Sequence, residues 1–185
     1  MKNAIVMLGS PRRRGNSEIL AEKAMEGIKE AGGACEVFRL NTMKIRPCQA
    51  CKYCRREGHT LCVIHDDMDQ IYAALAESDV ILLACPIYMF TVTAQLKLFM
   101  DRCFACPDLL AGKRVGILLT YGDADEYTSG AVNAINTFKD EYRYAQADII
   151  GIVHASANEK GEILKNEKAL EEAFQLGKNL FLNTP

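Results

Sequence analysis

The chain has 185 residues, of which 49% are hydrophobic and 25% charged, and its formal net charge is −2 at pH 7. This composition is typical of one globular domain spanning residues 1–185, and the small net charge argues against nucleic acid or a membrane surface as a partner. The first apolar run covers only Ala4–Leu8, and no later segment approaches the roughly 18 apolar residues of a spanning helix. We therefore expect a cytoplasmic protein with reduced thiols, in which a disulfide cage is the least favoured explanation for the 8 cysteines.

Short apolar runs alternate with segments of helical periodicity. Four runs are nearly continuous, as in strands buried on both faces, and a fifth interleaves charged residues as an edge strand does. We expect Asn16 or Ser17 to cap the first helix, Gly32-Gly33 to end it, and Asp66 or Asp67 to cap the second. The predicted strands are Ala4–Leu8, Cys35–Leu40, Val80–Ala84, Val115–Leu119 and Ile149–Val153, and the predicted helices contain Ile19–Ala31 and Met68–Leu75 and cover about 94–103, 127–143 and 165–182. Five strands alternating with five helices predict a three-layer α/β fold with a parallel sheet.

The loop after the first strand reads GSPRRRGNS, Gly9–Ser17, and leads into a helix N-terminus. Such loops hold phosphates in doubly wound folds, because the first helical amides carry partial positive charge. Neither GxGxxG nor GxxxxGK[ST] occurs, so this loop is better suited to one terminal phosphate than to a dinucleotide or a nucleoside triphosphate. The alternative is a capped helix start with solvated arginines. The candidate phosphate ligands are Ser10, Arg12, Gly15, Asn16 and Ser17.

Two further loops follow the third and fourth predicted strands, CPIYMF at Cys85–Phe90 and TYGDAD at Thr120–Asp125. Both lie at the carboxyl edge of the sheet and offer flat or soft apolar side chains, which could instead simply pack on the sheet. Together with a phosphate loop they predict a flavin mononucleotide (FMN) site. The candidate ring-binding residues are Pro86, Ile87, Tyr88, Met89 and Phe90 after the third strand, and Thr120, Tyr121, Gly122 and Asp123 after the fourth.

These loops, with LKLFMDR at Leu96–Arg102, make the chain resemble the NADPH-dependent FMN reductase family of the flavodoxin-like superfamily. A CxxCxxC run before HDDM, His65–Met68, is most similar to the iron–sulfur flavoproteins. The resemblance implies a five-stranded sheet of order 2-1-3-4-5 and FMN held by the three loops. It also implies a homodimer or homotetramer with the flavin near a subunit interface. Cys85 departs from the serine or alanine expected before the proline, and is either a buried small residue or a thiol near the flavin.

The longest irregular stretch, about 42–65, follows the second strand and carries Cys48, Cys51, Cys54 and Cys62 in a CxxCxxCx₇C pattern. A loop of this length inside a compact domain is usually functional. Three evenly spaced thiolates can converge on one corner of a cubane, so we expect these four cysteines to bind a [4Fe–4S] cluster. Two alternatives stay open: a zinc site built from Cys51-x₂-Cys54 and Cys103-x₂-Cys106, and reduced or redox-active thiols.

A protein that holds FMN and a cluster is suited to converting two-electron into one-electron transfer. The first functional hypothesis is therefore an oxidoreductase. It would pass electrons from NAD(P)H or a ferredoxin-type donor through FMN to a small-molecule or protein acceptor, with no side chain acting as a catalytic acid or base. The second is an FMN electron carrier without its own turnover, whose cysteines bind zinc or stay free. A third is a redox or metal sensor.

Overall fold

The computed structural model describes residues 3–58 and 61–182 of the chain. Five parallel strands form one sheet in the order β2-β1-β3-β4-β5, so the predicted fold and strand order are confirmed. The strands are β1 (Asn3–Leu8), β2 (Ala34–Arg39), β3 (Val80–Pro86), β4 (Arg114–Tyr121) and β5 (Asp148–Ser156). The helices are α1 (Asn16–Glu30), α2 (Met68–Glu77), α3 (Ala94–Cys103), α4 (Pro107–Leu110), α5 (Ala131–Tyr144) and α6 (Glu167–Leu182).

The helices cover both faces of the sheet. Successive residues of a strand point to opposite faces, so Ile5 and Met7 of β1 pack with α2, α3 and α5, whereas Val6 and Leu8 pack with α1 and α6. The central strands β1, β3 and β4 are buried on both faces, and for this reason their sequences are nearly continuous apolar runs. At the edge, β2 exposes Glu36 and Val37, as its interleaved charges predict.

Glycine lets α1 and α6 approach each other closely. A Cβ on Gly177 would lie 1.9 Å from the carbonyl oxygen of Ala24, and one on Gly27 would lie 2.1 Å from that of Phe174. Neither position can hold a side chain without moving the helix backbones apart. Among the described residues, no helix combines the length and the apolar character needed to cross a bilayer.

Several predicted helix boundaries were wrong. Gly15, not Asn16 or Ser17, is the N-cap of α1, while Gly32 ends that helix with φ +85° as predicted. Asp67, one of the two residues predicted, is the N-cap of α2, and Asp66 Oδ1 accepts the Met68 N–H at 3.0 Å, which satisfies one free amide at the start of that helix. The fourth predicted helix starts at Ala131 rather than 127, because Asp125 Oδ1 accepts the N–H groups of both Tyr127 and Thr128 and closes a turn.

Four short helical segments of the described chain were not predicted. Helix α4 (Pro107–Leu110) is a single turn, too short to show a periodic stripe, and proline occupies its first position. A 3₁₀ turn at Glu162–Lys165 precedes α6, which begins at Glu167 rather than 165. Two further 3₁₀ turns lie at Leu40–Thr42 and Tyr53–Arg55, the second inside the cysteine-rich stretch.

Candidate functional site

A cleft of about 220 Å³ opens at the carboxyl edge of the sheet, where the loops after β1, β3, β4 and β5 meet. Because the ends of parallel strands converge there, loops distant in sequence share one cavity. All the predicted cofactor-binding residues line this cleft except Met89, Phe90 and Asp123. The lining residues from the three predicted loops are Ser10, Arg12, Gly15, Asn16 and Ser17, then Pro86, Ile87 and Tyr88, then Thr120, Tyr121 and Gly122.

The loop between β1 and α1 is ordered by its own hydrogen bonds. Ser10 Oγ accepts the Arg12 N–H at 3.1 Å, and Glu18 Oε2 accepts the Arg14 N–H at 2.7 Å, with Arg14 in the left-handed region at φ +53°. Arg39 pairs with the buried Glu18, and this hydrogen bond lowers the pKa of the Glu18 carboxyl against the opposing effect of burial. The first-turn amides of α1 have no helical acceptor, so the loop presents N–H donors suited to an anion.

Asn16 plays a different part from the one its sequence position predicts. Its Nδ2 donates to the carbonyl oxygens of Ala157 at 3.0 Å and Glu159 at 2.9 Å, and its Oδ1 accepts the Ile163 N–H at 3.3 Å. The buried amide therefore joins the start of α1 to the segment after β5. Only its backbone N–H is left for a phosphate.

The loop after β3 forms a tight hairpin that projects from the cleft. Tyr88 and Thr91 exchange backbone hydrogen bonds, and both residues between them have positive φ, +46° at Met89 and +67° at Phe90. Asn133 of α5 donates its amide to the Phe90 carbonyl at 3.2 Å. Met89 is 87% exposed and Phe90 57%, so these side chains form an apolar tip outside the cleft, and their role as flavin contacts stays a prediction.

The loop after β4 is tied to β5 and to the segment that follows it. The Tyr121 hydroxyl lies 3.0 Å from His154 Nδ1, and burial followed by nearby carboxylates raises the pKa of that phenol. The Asp123 carbonyl accepts from Ser156 Oγ at 2.6 Å, whereas the residue itself is exposed and lies outside the cleft lining. A Cβ on Gly122 would lie 3.0 Å from Asn158 Oδ1, so glycine lets the two loops meet.

A fourth loop, after β5, was not predicted as part of the site. Ala157, Asn158 and Lys160 line the cleft, and Lys160 adds a cation to that of Arg12. The signal was available in the sequence, since SANEK follows the fifth predicted strand and the end of that strand lies on the same edge of the sheet. Its polar residues resemble an ordinary turn when they are considered alone.

Cys85, whose role the sequence left undecided, is a buried packing residue. Its Sγ contacts the Thr93 N–H at 3.4 Å and the Pro86 carbonyl at 3.1 Å, and burial raises the pKa of the thiol to about 11. Thr93 Oγ1 in turn donates to the Gly9 carbonyl at 2.7 Å. This contact ties the first loop to the start of α3, behind the cleft.

The four cysteines of the irregular stretch line a second, separate cavity of about 690 Å³. Its wall also includes Met100 and Cys103 of α3, Leu110 of α4 and polar residues of α5. Cys48 and Cys51 are exposed, and Cys54 and Cys62 are half-buried. Within residues 3–58 and 61–182, no three cysteine, histidine or acidic side chains lie close enough together to hold a metal ion. The fold thus gathers these thiols around one space without bringing them into ligand geometry.

The two cysteine pairs of the zinc alternative, Cys51/Cys54 and Cys103/Cys106, differ in exposure. Cys103 and Cys106 are both buried at the end of α3, where burial first and Cys106 second raise the pKa of the Cys103 thiol well above its usual value. Cys103 lines the 690 Å³ cavity together with Cys51 and Cys54, whereas Cys106 is not part of its lining. The raised pKa of Cys103 makes it a poorer zinc ligand than an exposed cysteine, because the metal binds the thiolate.

Comparison with known proteins identifies the family. The model of the NADPH-dependent FMN reductase family matches residues 1–142. An iron–sulfur flavoprotein of Archaeoglobus fulgidus is 34% identical over 136 residues, which cover 71% of this chain and 61% of that protein. YwqN of Bacillus subtilis, provisionally named an NAD(P)H-dependent FMN-containing oxidoreductase, is 27% identical over 185 residues, with 95% and 96% of the two chains covered. The chain thus spans less than two thirds of the first of these relatives.

Solved structures agree with the fold. The NAD(P)H:quinone oxidoreductase from Methanothermobacter marburgensis superposes with a TM-score of 0.78 at 20% identity, covering 99% of this chain and 98% of that one. At this level of identity the similarity describes the arrangement of strands and helices alone.

Proposed function

Because the chain belongs to the NADPH-dependent FMN reductase family, we propose that it is an FMN-dependent oxidoreductase that also carries a [4Fe–4S] cluster on its four clustered cysteines. We propose that it takes electrons from NAD(P)H or a ferredoxin-type protein and passes them to a small-molecule or protein acceptor. The observation that carries the proposal is the cleft at the carboxyl edge, which is lined by all three loops selected as an FMN site.

The residues of the cleft fit FMN in charge and shape. Arg12, Lys160 and the first-turn amides of α1 supply positive charge for a terminal phosphate. Gly15 allows this close approach, since a Cβ there would lie 3.2 Å from the Arg12 carbonyl and 3.4 Å from Ser10 Oγ. Tyr88 and Tyr121 offer flat surfaces for a ring system. When bound, FMN accepts a hydride and releases electrons one at a time.

The cleft is smaller than the pockets that enclose whole ligands of this size. Its volume of about 220 Å³ falls below the roughly 300–1,000 Å³ of typical cofactor pockets. The protein would therefore hold the phosphate end and one part of the ring, and leave the rest accessible. The exposed tip at Met89 and Phe90 lies beside that opening. We propose that a second copy of the chain, in a homodimer or homotetramer, covers it.

Both the backbone and the thiols of the cysteine-rich stretch fit an anionic cluster. Ala50 and Lys52, which alternate with the first three cysteines, have positive φ values of +52° and +56°. Alternation of right- and left-handed residues turns successive N–H groups toward one concave side, a conformation found around many iron–sulfur sites. When bound, a [4Fe–4S] cluster exchanges one electron at a time.

An electron carrier is the second candidate. A flavodoxin-like carrier would use the same cleft, and the fold similarity to flavodoxins does not separate the two functions. The cysteines favour the oxidoreductase, because a carrier that exchanges single electrons at FMN gains nothing from a second one-electron centre. In this alternative the cysteines bind zinc or stay free.

Anaerobic purification tests the proposal. The absorption spectrum should show flavin bands, and analysis should give about four irons and four acid-labile sulfides per chain. If the protein contains flavin and one zinc per chain, the cysteines hold a structural metal and not a cluster. A protein that stays colourless after mixing with FMN would overturn the whole proposal. Steady-state NAD(P)H oxidation without a partner protein then separates the oxidoreductase from the carrier, which should show almost none.

A further inference from the structure

A fully buried arginine lies between the sheet and the cysteine-rich stretch. The Arg102 side chain of α3 is 0% exposed. Its Nη1 donates to the Arg46 carbonyl at 2.9 Å and to Asp66 Oδ2 at 2.7 Å, and its Nη2 donates to the Ile64 carbonyl at 2.9 Å. One guanidinium therefore binds three acceptors that belong to two separate parts of the chain.

These acceptors bracket the four cysteines almost symmetrically. Arg46 lies two residues before Cys48, and Ile64 lies two residues after Cys62. Among the described residues between the first and the last cysteine, none accepts a hydrogen bond from Arg102 Nη1 or Nη2. The contacts of Arg102 thus close the base of the stretch and do not hold the thiol-bearing part.

The two sides of this base also bind each other. Asp66 Oδ2 accepts the Arg46 N–H at 2.9 Å, and Asp67 Oδ2 accepts the Lys44 N–H at 2.7 Å. The Asp67 N–H points back to the Lys44 carbonyl at 3.4 Å. We call residues 44–46 and 64–67, together with Arg102, the neck. None of these bonds involves a cysteine.

From this arrangement we infer that Arg102 is a positioning residue for the cysteine site, holding both ends of the cysteine segment in place so that its thiols can close on a ligand. The inference rests on the proposed function of these cysteines. Joining the ends of a loop costs conformational entropy, and the neck meets that cost when the protein folds. A bound group then has to order only the residues between Pro47 and Val63.

Arginine is required here for geometric reasons. Its planar guanidinium presents several N–H donors in a fixed fork, whereas a lysine ammonium at the same place could not satisfy the three acceptors in the same directions. Tyr72 fixes the arginine from below by donating its hydroxyl to the Arg102 carbonyl at 2.9 Å. The hydrogen bonds from Arg102 and from backbone amides outweigh burial and lower the pKa of the Asp66 carboxyl, so the pair stays charged.

Arg102 also has a donor to spare. Its Nε is buried and has no hydrogen-bond partner in the part of the chain that the structure describes. The residue belongs to the wall of the 690 Å³ cavity that the four cysteines line. N–H groups beside cluster or thiolate sulfurs are a main means by which a protein tunes such a site. A sulfur ligand bound in this cavity would meet an arginine with one unused N–H donor.

Arg102→Lys tests the inference, with Arg143→Lys as the matched control. Arg143 forms an exposed pair with Asp140 at 2.7 Å, so its replacement should have little effect. In metal-free protein, Arg102→Lys should make trypsin cleave after Lys52, Arg55 and Arg56 at least about tenfold faster. Hydrogen exchange at the amides of Lys44, Arg46 and Met68 should accelerate similarly, while that of β1 and β3 does not change. Unchanged rates in the neck would overturn the inference.

A second variant covers the case in which Arg102→Lys does not fold. Asp66→Asn keeps the size of the side chain and an acceptor for Met68, but loses the charge that holds the guanidinium. It should show the same local acceleration with FMN binding retained. If Asp66→Asn folds, binds FMN and exchanges like the wild type at the neck, Arg102 does not position the segment.

Reconstitution with iron and sulfide distinguishes positioning from plain stability. Arg102→Lys should release iron to a chelator at least about tenfold faster, and the electron paramagnetic resonance signal of its reduced centre should be broadened by varied ligand positions. A role limited to stability would lower the amount of that signal and leave its line shape unchanged, which would overturn the inference. If the wild type itself binds no iron, the proposed cluster fails, while trypsin and hydrogen exchange still decide the role of the neck.

Discussion

The flavin cleft and the cysteine cavity are built in opposite ways. The cleft is made by short loops that leave the strands directly, and their polar groups are already bonded to one another, as Asn16 is to Ala157 and Glu159. The cysteine cavity is bounded by a stretch that, in its described part, has no regular structure beyond one 3₁₀ turn. Arg102 fixes the base of that stretch, and Arg55 adds a looser contact with the Phe104 ring farther along it.

The difference indicates how each site depends on its ligand. The sheet sets the positions of the cleft residues, so FMN would meet a surface that exists without it. The cysteines have their spacing from the sequence and would take their final arrangement from the proposed cluster, since metal sites are rarely complete before the metal binds. The two sites should therefore respond separately to mutation.

The largest expected effect comes from Cys51→Ser. Removing the central ligand of CxxCxxC should reduce bound iron to less than about a tenth of the wild-type amount, and FMN affinity should stay within about twofold. Iron analysis and flavin fluorescence titration measure the two quantities. Cys35→Ser is the control, because Cys35 is a half-buried thiol on β2 and lies outside the cavity. Joint loss of iron and flavin would show that the two sites are not separate.

Gly130→Ala should weaken FMN binding in the flavin cleft. Gly130 has φ +76°, and a Cβ there would lie 2.5 Å from Phe90 Cβ and 2.7 Å from the Phe90 carbonyl oxygen. Both strain and collision would displace the hairpin after β3, with a cost of roughly 2–4 kcal/mol in the free energy of unfolding. We expect FMN affinity to fall about tenfold and iron content to stay constant.

Gly112→Ala is the matched control for this substitution. Gly112 also has positive φ, +72°, but nothing lies within 4 Å of its missing Cβ. It should show only the conformational cost, about 1 kcal/mol in urea denaturation, with FMN affinity unchanged. Equal losses of FMN affinity in the two variants would mean that the hairpin has no part in flavin binding.

Glu141→Gln should have the smallest effect, and that effect should depend on pH. Glu141 lines the cysteine cavity, its Oε2 is buried without a partner among the described residues, and burial raises the pKa of its carboxyl from 4.5 to about 7. Because the folded protein keeps this proton to a higher pH than the unfolded chain does, the wild type loses stability as pH rises through that interval. Glutamine has no proton to lose.

The variant should therefore gain about 2 kcal/mol over the wild type between about pH 5 and pH 8, as measured by urea denaturation at both values. Glu57→Gln, at an exposed position of the cysteine-rich stretch, serves as the control. A constant difference across this pH range would mean that burial of Glu141 does not perturb its titration in the folded protein.

The sequence was most informative where the backbone pattern is regular. Buried strands such as Val80–Pro86 are continuous apolar runs, and their carboxyl ends locate the cleft loops without further information. Boundaries failed where one side chain overrides periodicity, as Asp125 does by closing a turn ahead of α5. Those bonds depend on local geometry that hydrophobic spacing does not encode.

The parts of the sites that the sequence missed are contacts between distant residues. The residue type and position of Asn16 are those of a phosphate ligand or a helix cap. Nothing near it in the sequence indicates its hydrogen bonds to a loop more than 140 positions away. Arg102 resembles an exposed helical arginine until the fold encloses it. Both are polar residues whose partners exist only after the chain has folded.

Because the neck is closed, the thiol-bearing segment can be replaced without changing the strands or the neck. The Arg46 and Ile64 carbonyls bind the same guanidinium, so a connector of about four residues can replace everything from Pro47 to Val63. The sheet would lose none of its strands, and each hydrogen bond from Arg102 would keep its acceptor. The segment can thus vary in length and content, or be transplanted between scaffolds, at the cost of its own contacts with the domain, such as those of Arg55 with Phe104 and Tyr144.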